Sequence, residues 1–173
     1  MKDTEMENLD SQIQNRLKKL AYKLTIPFCY SCYHEAPSGR CSDCLSDDLM
    51  RLLPGDGVEY GIDWVIEHLV RDNVEPIDVE EVFEESIRQC YPETVQVGWL
   101  ELDTVQTMKD ADPISWDLAR NDWLENEEGE GHIVSFDHGG SHHYTHDIEL
   151  YLAGQEAVSE ESFDEAQMEK SSG

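Results

Sequence analysis

A chain of 173 residues can bury one respectable core and is too short for several, since domains commonly run to about 100–150 residues. Twelve Lys and Arg against 39 Asp and Glu leave a net charge of −27, which repels nucleic acid and anionic membrane surfaces alike. No run approaches the roughly 20 apolar residues of a membrane span, and the opening MKDTEMENLD lacks a basic-then-apolar secretory layout, so a cytoplasmic location is expected.

Leu9, Ile13, Leu17, Leu20 and Leu24 recur at helical spacing and predict an amphipathic helix in a first segment, 1–27, that Pro27 closes. Residues 1–28 also hold five of the twelve cations against four acids, so the rest of the chain carries −28. A basic protein surface is the natural partner for that remainder, and basic surfaces in a cell are mostly those that hold DNA or RNA.

Cys29, Cys32, Cys41 and Cys44 follow, two C-x-x-C pairs separated by eight residues, with Pro37, Ser38 and Gly39 turning the chain between them. That spacing lets four thiolates meet on one tetrahedral ion at about 2.3 Å per sulfur. With every position filled by sulfur no place is left for water, so one structural Zn2+ is expected in a knuckle module over residues 28–46. An iron–sulfur cluster and a redox dithiol pair are the other readings of the same four residues. His34 is either a replacement ligand or a surface residue. The loop offers only Arg40 as a cation, beside His34, Glu35 and Asp43, so the module should brace the fold or dock a protein and not read DNA.

Beyond the knuckle, Ser46-Asp47-Asp48 predicts a helix start into LMRLL, and Pro54-Gly55-Asp56-Gly57 a turn. A helix is predicted over residues 61–71, with Ile62, Val65, Ile66 and Leu69 facing inward, and another after Pro76, with Asp78 as cap and Val79, Val82, Phe83 and Ile87 as its apolar face. Cys90, at the end of the latter, reads as a small buried hydrophobe. Residues 94–102 predict a strand whose alternation breaks at Leu100. After a break at residues 108–113, Ser115 is expected to cap a helix carrying Trp116, Leu118, Ala119, Trp123 and Leu124. Residues 132–137 and 142–146 flank Gly139-Gly140 and predict a hairpin. On such a strand His142 and His146 share a face and can meet His138 across the turn, a candidate second metal site for a hydrolase. Residues 147–153 fit a short helix or more strand, and the acidic stretch 154–173 reads as disordered. The sum is an α+β fold, helices packed on a small antiparallel sheet with an inserted four-cysteine zinc knuckle, its core spanning residues 47–153.

Between Glu101 and Glu130 ten acids face Lys109 and Arg120 alone, a local net charge of −8. Asp110, Asp112, Asp117, Asp122, Glu125, Glu127 and Glu128 are the candidate partner-binding residues, with Trp116 or Trp123 as anchors. Carboxylates repeated on a rigid element can copy the spacing of DNA phosphates; a merely solvated surface is the other reading.

The strings CYSCYHEAPSGRCSDCLSDDLMRLL, GVEYGIDWVIEHL, VGWLELDT and DPISWDLA resemble small acidic zinc-ribbon proteins carried on bacterial plasmids and integrating elements, over residues 29–150. The resemblance carries over no activity. What it implies is context, since such elements carry small proteins that blunt host defences, and several anti-restriction and anti-CRISPR proteins resemble DNA in charge. The expectation is thus a non-enzymatic inhibitor occupying the nucleic-acid groove of a host nuclease or CRISPR effector. A zinc-ribbon adaptor or transcriptional accessory factor and a metal-dependent hydrolase at the histidine hairpin are the alternatives.

Overall fold

The computed structural model describes the backbone of residues 9–170 and the side chains of residues 9–158, and the chain divides into two units. One is discontinuous, residues 9–75 with 146–170; the other is the inserted unit, residues 76–145.

The discontinuous unit begins with α1 (Ser11–Leu24), whose first turn is held by Asp10 accepting from the Gln12 amide at 2.6 Å. Its buried stripe is Ile13, Leu17 and Ala21, one residue every turn and continued by the buried Leu9 just before the helix, while Leu24 is exposed. The apolar stripe therefore runs onto Ala21 where the leucine spacing pointed to Leu20 and Leu24. The sheet has the order β2 (His34–Glu35), β1 (Ile26–Cys29), β3 (Met50–Leu53), β4 (Gly57–Glu59), antiparallel throughout.

The predicted helix over LMRLL is thus a strand. Five residues ahead of Pro54 are too few to repay helix nucleation, whereas between β1 and β4 the four residues Met50–Leu53 each find a ladder partner. Arg51 adds a reason of its own. Its guanidinium donates to Thr25 Oγ1 at 2.9 Å and to the carbonyls of Tyr22 and Thr25 at 3.0 and 2.9 Å, and it lies over the Tyr22 ring. It satisfies carbonyls that the end of α1 would otherwise leave open. The turn at residues 54–57 forms as expected, with Gly55 at φ +92°. The helix α2 (Asp63–Asn73) packs on α1 and buries Val65, Ile66, Leu69 and Val70. The last helix, α6 (Thr145–Lys170), buries Ile148 and Leu152, and Glu156 pairs with Arg16 at 2.8 Å. Residues 154–170 are therefore helical and not disordered: Ala, Glu, Gln and Met dominate them, all good helix formers, and Gln155 is half-buried. Residues 171–173 lie outside the described residues.

In the inserted unit α3 (Val79–Cys90) is capped by Asp78, which accepts from the amides of Glu80 and Glu81 at 3.0 and 3.1 Å. The single strand expected at residues 94–102 is a hairpin, β5 (Thr94–Val97) and β6 (Leu100–Asp103). Gly98, at φ +66°, opens its two-residue loop, and that loop is what breaks the alternation at Leu100. Two helices follow, α4 (Thr104–Ala111) and α5 (Pro113–Gly129). Pro113 starts α5 because a first-turn proline loses no hydrogen bond, and Asp112, not Ser115, is the cap, accepting from the Ser115 amide and hydroxyl at 3.0 and 2.7 Å. Phe83, Val105 and Trp116 form a small core, with Ile87, Met108 and Trp123 half-buried against it. Cys90 ends α3 well past Phe83, that helix's one buried residue, and is exposed, contrary to the sequence reading. A short pair, β7 (Ile133–Val134) with β8 (His143–Tyr144), completes the unit.

Candidate metal centre

Each cysteine pair sits in the same local fold. The amide of Tyr33 donates to the Cys29 carbonyl at 2.8 Å, and the amide of Leu45 donates to the Cys41 carbonyl at 3.1 Å. The residue after each pair, Tyr33 or Leu45, turns left-handed at φ 59° and 60°, so the chain leaves both knuckles in the same way. Cys29 ends β1, and Gly39, at φ +80°, helps return the chain to Cys41.

The four sulfurs lie within 4.8 Å of one another, and Cys29 and Cys44 are 3.7 Å apart. A tetrahedral ion at about 2.3 Å from each sulfur requires sulfur–sulfur edges of about 3.8 Å. The thiols thus converge at the spacing a metal ion needs, and none of them is in a disulfide. Cys29 and Cys41 are buried, while Cys44 meets solvent.

Thiol acidity divides unevenly across the cluster. Cys41 is brought down to about 6, chiefly by the Cys44 amide and further by that of Asp43. Cys32 is pushed up to about 12 by the thiols of Cys44 and Cys41. The Cys32 amide pulls Cys29 down, but burial and the neighbouring thiols outweigh it and raise Cys29 overall. Four adjacent thiolates repel one another, and a divalent cation among them removes that repulsion. His34 stands beside the cluster, with its Nε2 3.5 Å from Cys41 Sγ and Nδ1 3.6 Å from an Asp43 oxygen.

The histidine hairpin is built differently from the sequence reading. Its second strand is only His143–Tyr144, because Thr145 already opens α6; His142 precedes the strand and His146 lies on the helix. The shared face of His142 and His146 therefore does not exist. His138 is at the turn with φ 59°, and His142 Nε2 is 3.4 Å from a Glu128 oxygen. The buried imidazole is His143, only 2% exposed, with Ser141 Oγ 3.3 Å from its Nε2. Asp137 organises the loop, accepting from Ser135 Oγ, the Ser141 amide and Ser141 Oγ at 3.0, 2.7 and 2.8 Å. Among the described residues two groups of three or more ligand side chains converge: the four cysteines and the solvent-facing Glu127, Glu130 and His132. Neither contains His138, His142 or His146.

The seven acids proposed to meet a partner occupy unequal places. Asp112 is committed to the α5 cap, and its carboxyl is lowered by the Ser115 hydroxyl and amide. Asp110 accepts from Gln106 at 2.9 Å, Asp117 meets Arg120 at 3.2 Å, and Glu127 meets His132 at 3.0 Å. Asp122 and Glu125 are exposed on α5, and Glu128 holds His142. Trp116 is core and cannot anchor a partner, and Trp123 is half-buried. The tryptophan that meets solvent is Trp99, 92% exposed at the hairpin tip, which the sequence signalled only by its place after Gly98.

No protein-family model, curated protein or solved structure matches the chain. No helix among the described residues is long and apolar enough to cross a membrane.

Proposed function

We propose that this chain is a non-catalytic binding protein that lays the acidic surface of its inserted unit on a basic protein surface otherwise used for nucleic acid, the groove of a host nuclease or CRISPR effector being the class of target. The observation that carries this is the fate of the cations. Residues 76–145 hold 17 acids and three cations. All three cations are engaged internally: Arg88 with Asp103, Lys109 with Glu80 and Glu84, and Arg120 with Glu80 and Asp117. Outward there remains an almost unbroken negative field, which steers toward positive surfaces and away from phosphates. The resemblance to proteins of mobile elements supplies the context of host defence. The ion of the four-cysteine site is inferred to be zinc, which suits an all-thiolate tetrahedral set, and its role is structural because no coordination place is left for a substrate.

A second reading, an adaptor that docks through the knuckle, is favoured by one observation: Tyr33 and Leu45 are 76% and 66% exposed at the tips of the two knuckles. The deciding experiment is capture of binding proteins from lysate at low salt, elution in a salt gradient, and competition with duplex DNA. Expected is a nucleic-acid-binding protein that elutes at intermediate salt, is displaced by DNA, and is lost when Asp117, Asp122 and Glu125 become amides. Binding that ignores salt and DNA but fails in Tyr33→Ser with Leu45→Ser would establish the adaptor instead.

A further inference from the structure

An apolar groove lies beside the core of the inserted unit. Phe83, Ile87, Met108 and Trp116 form the floor of a groove of about 380 Å³ among α3, α4 and α5, with Tyr91 and Ala119 at its walls. Its polar lining is Asp112 with Ser115, and these two are already bonded to each other in the α5 cap. A small-molecule site holds a few convergent polar groups that fix a ligand's orientation, and beside that bonded pair this groove has only the hydroxyl of the half-exposed Tyr91 at its wall. Ile114 and Leu118, on the exposed side of α5, extend the apolar character beyond the groove.

We propose that this groove receives one amphipathic basic helix of a partner protein, its apolar stripe on Ile87, Tyr91, Met108 and Ala119 above the buried Phe83 and Trp116, and its Lys and Arg toward the surrounding carboxylates. Charge selects the occupant: the unit's net charge is −14, and its three cations are taken up internally. An apolar slot between helices accepts anchors at i, i+3, i+4 and i+7. An anionic segment, a nucleic acid or a lipid headgroup would meet only repulsion. This inference rests on the basic-partner reading and adds to it a place and a shape.

The test uses the full-length protein and two fluorescein-labelled peptides of about 15 residues, long enough to fold on docking. One carries Leu at i, i+3, i+4 and i+7 among Lys; the other has the same composition scrambled. Polarisation in about 150 mM salt should give at least tenfold tighter binding for the patterned peptide. Ala119→Trp, which fills the groove from an exposed helical position, should abolish that preference, whereas Asp122→Asn with Glu125→Gln should weaken both peptides alike. Equal binding of the two peptides, or a preference that survives Ala119→Trp, overturns the groove while leaving the charge-driven reading in place. No binding of either peptide even at low salt overturns both. Amide shifts confined to residues 94–103 place the contact on the β5–β6 hairpin and likewise overturn the groove.

Discussion

Cys29, Cys32, Cys41 and Cys44 differ from Cys90 in one respect that chemistry can read: four converge, and the fifth is exposed and joins no such cluster among the described residues. A metal-bound thiolate reacts slowly with disulfide reagents, and an exposed helix-end thiol reacts quickly. The native protein should therefore show one fast thiol per chain and one zinc by elemental analysis, and at least two fast thiols after chelation, the lowered Cys41 being the first released. A Cys32→Ser chain should lose the zinc and melt well below the parent. One fast thiol persisting after complete removal of metal would sink the zinc assignment. This cluster was legible in the sequence because a C-x-x-C repeat is a local pattern. Cys90 was misread because burial depends on what packs against the end of a helix, and no spacing rule reports that.

At the scale of the element, the inserted unit is tied together by Glu80. This side chain on α3 accepts from Trp116 Nε1 at 3.0 Å and from Arg120 at 2.7 Å on α5, and meets Lys109 at 2.7 Å on α4. Lys109 first, then Arg120, hold its carboxyl down to about 2. A carboxylate whose folded value lies below its unfolded one stabilises the fold above the unfolded value, about 4.3, and loses that contribution as pH falls toward 2. Glu80→Gln should cost about 1–2 kcal/mol at neutral pH, a modest figure because the site is partly solvated. The difference between parent and variant should shrink steadily below pH about 4.5, and a difference independent of pH would show that the charge of Glu80 does not stabilise the fold. Sequence periodicity placed the faces of α2 and α3 well, since Ile66, Leu69 and Phe83 are buried as spaced. It failed over LMRLL, where a short apolar run fits helix or strand and the choice was made by the ladder with β1 and by the bonds of Arg51 to Tyr22 and Thr25, partners distant in sequence.

For the whole chain, a net charge of −27 works against compactness, because most of its carboxylates lack a cation. Salt screens that repulsion over about 10 Å at 0.1 M. Raising salt from about 0.05 to 0.5 M should increase the melting temperature of the free protein while weakening its complex with a basic partner, two effects of opposite sign from one cause. A melting temperature that falls with salt would mean that the internal pairs of Arg88, Lys109 and Arg120 outweigh the repulsion. Total charge was plain in the sequence. Its distribution was not, since only the fold shows that Asp112 caps a helix while Asp122 and Glu125 face water.

The discontinuity of the first unit also sets an order of events during synthesis. All four cysteines emerge within 16 residues of one another, ahead of β3 and long before α6 brings Ile148 and Leu152 to the same unit. Closing so short a loop loses little chain entropy, so a metal ion can be captured while most of the protein is still unmade. With an ion bound, β1 would be held at its Cys29 end while the inserted unit is made, and α6 would then add Ile148 and Leu152 to the unit begun by α1.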